Sequence, residues 1–230
     1  APEEITRNVE GFYTLVRDDL LRGFPEAASS AEARREFGAL IDRLAVLPLA
    51  RQVAHNPALI GQTVTVDIPV SDDVDMFLKR ITPRPVMVGL GGKGEVTPSS
   101  PEGILTLSSA SLKSLAARLS ALDQADGSPV ILIKGEASVA RVQSLNGAVA
   151  VMELLTGTEE GFDGKDLKAF ILTSPEDQRS LSDQQIAWSL VLQSNGYIRR
   201  VPHTSLLTNT DSTYPELAGA LAAIVGSLLT

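Results

Sequence analysis

Pro129-Val130-Ile131-Leu132-Ile133, Val139-Ala140-Arg141-Val142, Asn146-Gly147 and Val149 through Leu155 follow one another in the stretch that decides the fold. Its apolar period is close to two, and β-branched residues, which suit a pleated and half-buried surface, are frequent in it. Asn146-Gly147 is a hairpin signal, because both residues tolerate positive φ at a tight turn. The pattern predicts a β-meander whose last turn is a hairpin. With a further strand at Phe170-Ile171-Leu172, the β region covers about residues 129–172.

Downstream, Gly157 to Lys165 reads as a glycine- and acid-rich loop. Ser182 and Gln185 then form a capping box, Leu181 and Ile186 can staple it, and Asn195-Gly196 is a C-terminal cap. These signals predict a helix over 182–194 carrying Trp188 and Leu192. Upstream, Leu112, Leu115, Ala116, Leu119 and Leu122 form a helical stripe closed near Asp126-Gly127. Ile104 to Leu107 reads as a strand and Thr97-Pro98-Ser99-Ser100-Pro101 as a loop. Pro85 to Val88 reads as a short strand running into the glycines from Gly89 onward. Alternation at Thr63-Val64-Thr65-Val66-Asp67-Ile68 predicts another strand. Ser71 reads as an N-cap, with Asp72 and Asp73 favoured by the helix dipole.

The N-terminal quarter reads as helical. Ile5, Val9, Phe12, Val16 and Leu20 share a stripe that Gly23 and Pro25 end. Phe37, Leu40, Ile41 and Leu44 mark a second helix, and Pro48 is expected to interrupt the chain beyond it. The resulting expectation is an α+β fold: N-terminal helices packed with a mixed or antiparallel sheet, plus the capped helix. Its parts are a helical segment at 1–60, an α+β domain at 61–214 and a separate segment at 215–230. Residues 217–230 carry no charge. They are too few to span a bilayer alone, which takes about 20, but they read as the opening of such a span.

Composition narrows the function. The chain has 230 residues, 43% of them hydrophobic, so it can bury a core; at 4% aromatic content that core rests on Leu, Val, Ile and Ala. Net charge is -8, from 20 basic and 28 acidic residues. That balance argues against nucleic acid and against anionic lipid as partners. The absence of cysteine excludes disulfides and thiolate metal sites.

Two groups are candidate ligand-binding residues. Gly89, Gly91, Gly92 and Lys93 belong to a glycine-rich stretch after a strand, where backbone N–H groups can cradle an anion. The stretch lacks P-loop spacing and does not fit G-x-G-x-x-G. Arg199 and Arg200 are a second place to hold an anion. Asp72, Asp73 and Asp75 do not match an EF-hand, and helix capping accounts for the first two. His55 and His203 lack a second ligand at helical or hairpin spacing, and no Ser sits in a nucleophile elbow. Catalytic residues, metal ligands and cofactors are therefore not expected, with a periplasmic hydrolase as the weakest alternative.

Several stretches, in order, resemble one family. They are Tyr13-Thr14-Leu15-Val16-Arg17-Asp18 with Phe24-Pro25-Glu26, Pro57 to Val66, Ser71 to Met76, Leu181 to Trp188, and Asp211-Ser212 with Pro215 to Gly219, running on to Val225 through Thr230. Together they resemble the long N-terminal region of PstA-type permease subunits of bacterial phosphate ABC importers. The resemblance implies an extracytoplasmic domain on the periplasmic face of the inner membrane, between two transmembrane helices. The partners it implies are the other permease subunit, the ATPase subunits and the periplasmic phosphate-binding protein. The alternative is a stand-alone module binding phosphate or another small ligand.

Overall fold

The N-terminal stripe folds as α1 (Pro2–Leu21). The structure, a computed structural model, describes residues 2–200 except 64, 66, 92–93, 100, 102, 122–128 and 164–165. Expectations for Leu122, Asp126-Gly127 and residues 201–230, the apolar terminal segment included, lie outside the described residues. Residues 1–198 form one unit and residues 199–230 a second.

Among the described residues four further α-helices precede the last helix of the first unit, with short 3₁₀ turns between elements. They are α2 (Ala31–Gly38), α3 (Leu47–His55), α4 (Asp72–Leu78) and α5 (Leu112–Ala121), with Glu176–Gln178 as the short turn before α6 (Asp183–Ser194). Pro48 opens α3 rather than interrupting it: at the first turn a missing N–H costs nothing, since that donor has no intrahelical partner. The second predicted helix accordingly stops at Gly38, and a 3₁₀ turn over Arg43–Val46 leads into α3. Ser30 caps α2 by accepting the Ala33 N–H at 3.0 Å.

The sheet has seven strands: β1 (Val86–Gly91), β2 (Glu95–Ser99), β3 (Ile104–Ser108), β4 (Val130–Lys134), β5 (Val139–Asn146), β6 (Val149–Thr156) and β7 (Asp166–Leu172). Their order is β1-β7-β4-β5-β6-β3-β2, and every pair is antiparallel. The fold is α+β. The meander is β4-β5-β6, and its hairpin pairs Asn146 with Val149. The positive φ falls on Gly147, the first loop position, as in a type II′ turn. β7 does not extend the meander at β6. It returns to the far side of β4, pairing Val130 with Leu172 and Lys134 with Lys168.

The sheet is covered on both faces, which explains why β4 reads as an unbroken apolar run. Leu132, Val139, Phe170 and Leu172 face a core shared with Leu21, Phe24, Phe37, Val74 and α6. Ile131, Ile133, Ala169 and Ile171 face the opposite core, which α5 closes with Leu112 and Leu115. In the first core Phe24 lies 5.2 Å from Phe37, and Phe37 lies 5.2 Å from Trp188, edge to face at 76°. Such pairs add about 0.5–1.5 kcal/mol beyond the area they bury.

Two further expectations change, and a third, the N-cap at Ser71, holds in position only. No strand forms at the described residues of 63–68; Val70 alone makes an isolated bridge to Ile41, and Ile68 packs on Tyr13, Ile41 and Val46. Residues 97–99 are strand rather than loop, because β2 is an edge strand and tolerates Pro98 there. Ser71 holds the N-cap position of α4, but its hydroxyl makes no cap hydrogen bond and is buried with no partner among the described residues. By contrast, α6 begins with the predicted capping box, Ser182 Oγ accepting from Gln185 N–H at 3.1 Å. It ends with Gly196 at φ 76° and the Tyr197 N–H donating to the Leu192 carbonyl at 2.9 Å, a Schellman closure.

Candidate functional site

Gly89 and Gly91 are not in a loop. They lie in β1, opposite Lys168 and Asp166 of β7. A strand turns its N–H groups alternately to either side, so these glycines do not form the concave nest of amides that an anion needs. Gly92 and Lys93 fall outside the described residues. Gly94 has a packing role, since a Cβ there would come within 3.1 Å of Leu167 Cδ1 and closer still to Leu107. Arg199 and Arg200 are exposed and open the second unit. His55 is exposed at the end of α3, its Nδ1 2.8 Å from the Arg51 carbonyl. Asp75 is paired with Lys79 one turn later at 2.5 Å.

The most concentrated charge chemistry was not legible in the sequence. Asp183, the first residue of α6, is 3% exposed and accepts from Arg179 Nη2 at 2.5 Å and Arg141 Nη1 at 3.3 Å. Arg141 projects from β5 and also binds Glu153 of β6 at 2.7 Å. Glu176 accepts the Asp183 backbone N–H at 2.8 Å. The hydrogen bond to Glu153 raises the pKa of Arg141 further, against the opposing effect of burial. The network ties the start of α6 to the sheet. The only sequence trace of it is the i,i+4 spacing of Arg179 and Asp183.

A second polar node joins the N-terminal segment to α6. Glu26 Oε1 accepts from Trp188 Nε1 at 3.2 Å and from the Thr156 hydroxyl.

Among the described residues one concavity is apolar. A cleft of about 70 Å³ opens between the end of α1, the segment Ile68-Pro69-Val70 and the C-terminal end of α6. Val16, Leu20, Leu40, Tyr197 and Ile198 line it, and Tyr197 is 66% exposed. Leu15 on α1, Leu44 and Ile60 are exposed on the same N-terminal segment.

Residues 2–86 match the family model of a domain of unknown function (DUF3333). The matched span runs from α1 to the first residue of β1 and supplies eight of the eleven residues lining the cleft, from Val16 to Val70. No curated protein and no solved structure matches the chain. Among the described residues no helix is long and apolar enough to cross a membrane.

Proposed function

We propose that this chain is the periplasmic domain of the permease subunit of a phosphate ABC importer, and that it works by contact with a partner protein. The observation that carries this reading is the apolar cleft at the N-terminal segment. An apolar concavity of this lining fits an apolar side chain of a partner better than an oxyanion, which needs donors. The ordered resemblance of the chain to PstA-type permeases supplies the context, and the periplasmic phosphate-binding protein is the partner it suggests. The glycine stretch gives the stand-alone anion-binding alternative little support, because Gly89 and Gly91 are strand residues.

The test is a thermal melt of the chain alone, with millimolar phosphate, with sulfate, and with the purified phosphate-binding protein. A partner at about a hundredfold over its Kd adds roughly 2.7 kcal/mol, several degrees for a unit of this size. The expected result is a shift with the protein and none with either anion. A shift with phosphate alone would replace docking by ligand binding.

A further inference from the structure

α4 closes in the geometry that α6 also uses. The Arg80 N–H donates to the Phe77 carbonyl and the Ile81 N–H to the Met76 carbonyl, both at 2.8 Å, a Schellman pair. At the end of α6 the left-handed position of this motif is Gly196, at φ 76°. At the end of α4 it is Arg80, at φ 62°, and among the described residues no other non-glycine residue has a positive φ. A Cβ in that region crowds its own backbone, so glycine is the unstrained choice there. Nothing inside the fold offsets the strain. Arg80 is exposed, and its guanidinium has no partner among the described residues; Arg84 is likewise exposed and unpaired. By contrast Arg17, Arg22, Arg43, Arg141 and Arg179 each meet a carboxylate.

The chain around these two cations is apolar. Met76, Ile81 and Val86 are exposed, and the Schellman bonds bring the backbone of Ile81 back to that of Met76. The carboxylates of α4 are engaged or distant. Asp75 is held by Lys79 at 2.5 Å. Asp72 and Asp73 open the seven-residue helix that Arg80 follows, about 10 Å away at roughly 1.5 Å per residue. That exceeds the screening length of about 8 Å at physiological ionic strength. Backbone strain kept beneath an exposed, unpaired side chain points to a role for that side chain outside the fold.

We propose that Arg80, Ile81 and Arg84 form the charged part of the docking surface, and that its occupant is a protein partner whose carboxylates lie beside apolar side chains. Arginine is enriched at the energetic centres of protein interfaces, where its planar fork takes a carboxylate bidentately and its stem packs on apolar neighbours. An anionic membrane is the poorer complement. It presents charge across the whole facing surface, which the net charge of -8 opposes, whereas a protein offers carboxylates at discrete places. The surface is close to the cleft in the chain: Ile68, Pro69 and Val70 line the cleft and run directly into Ser71 and α4. One interface of standard size, roughly 800 Å² per partner, can cover a small cleft and a helix of this length. The proposal rests on the docking reading and adds the chemistry of the partner.

Binding of the full 230-residue chain to the purified periplasmic phosphate-binding protein, by surface plasmon resonance at low and at physiological salt, tests it. Arg80→Gly is the decisive variant, because it removes the guanidinium and relieves the backbone at once. Its Tm is expected to rise by roughly 2–4 °C, while its Kd weakens about five- to tenfold. A loss of binding that comes with a gain of stability is not a loss of fold. Arg84→Ser is expected to weaken binding similarly, and added salt is expected to weaken wild type more than either variant. Arg118→Ser, on α5 at the other face of the sheet, is expected to leave Kd unchanged. Wild type that does not bind overturns the docking reading and this proposal with it. Wild type that binds, with Arg80→Gly and Arg84→Ser binding as tightly, overturns this proposal and leaves the docking reading standing on the cleft. An Arg80→Gly chain that melts no higher than wild type removes the strain from which the proposal is drawn and overturns it. Flotation with vesicles of phosphatidylglycerol and phosphatidylethanolamine that depends on Arg80 and Arg84, without binding to the protein, makes the occupant a membrane and overturns it as well.

Discussion

Asp183→Ala is the most exposing perturbation of this fold. It removes the carboxylate that accepts from Arg179 Nη2 at 2.5 Å and from Arg141 Nη1 at 3.3 Å. Arg141 is 37% exposed and keeps Glu153, so it adjusts at small cost. The Arg179 side chain is 1% exposed and, among the described residues, keeps the Pro175 and Leu181 carbonyls alone, at 3.3 and 3.4 Å. An uncompensated buried charge of this kind costs about 3–5 kcal/mol. The two residual acceptors place the expected loss near the lower end, about 3 kcal/mol. For a unit of roughly 200 residues each kcal/mol moves Tm by about 2–4 °C, so the fall is roughly 6–12 °C. Urea unfolding followed by Trp188, the sole tryptophan, gives the free energy directly. Replacing both partners, as Arg179→Met with Asp183→Leu, removes the stranded charge and should restore stability to within about 1 kcal/mol of wild type. A loss below about 1 kcal/mol for Asp183→Ala, or a double variant no better than the single, would refute the view that this pair is desolvated.

Three more outcomes come from the packing. Gly38→Ala should cost about 1–3 kcal/mol by urea titration, because the new Cβ meets the Tyr13 hydroxyl and lies 3.2 Å from Arg17 Cδ. Glu26→Ala strands Trp188 Nε1 and the Thr156 hydroxyl and should cost about 1–3 kcal/mol, with Glu26→Gln, which keeps an acceptor, much milder. Burial, and then the Lys168 charge opposite, hold the pKa of Lys134 below the ordinary lysine value, with Glu136 opposing. The folded state thus binds this proton less tightly than the unfolded chain, and charged Lys134 lowers stability at neutral pH. Lys134→Met should be more stable than wild type at pH 7, and its advantage should shrink as pH rises through the folded-state pKa; an advantage independent of pH would show that packing alone produces it.

The β region was legible because its signals are local. Alternation, an Asn-Gly turn and an apolar run are carried by neighbouring residues, and the capping box and Gly196 likewise declare α6. The misread elements depend on partners distant in the chain. Thr63 to Ile68 has strand composition but no strand beside it. Thr97-Pro98-Ser99 has loop composition but finds β3. Gly89 and Gly91 look like a loop until β7, about eighty residues later, pairs with them. The Arg141, Glu153 and Asp183 network is likewise assembled from three elements, and the cleft from the N-terminal segment and the end of α6. No spacing within one stretch records such convergence.

The reading of this domain as a docking module is tested most directly by amide hydrogen exchange, with and without the purified periplasmic phosphate-binding protein. The account predicts slowed exchange around Val16–Leu20, Leu40-Ile41, Val70 and Tyr197-Ile198 in the presence of the protein, and no change with phosphate alone. Protection at Gly89 to Gly91 with phosphate alone, or no protection at the cleft with the protein, would contradict it.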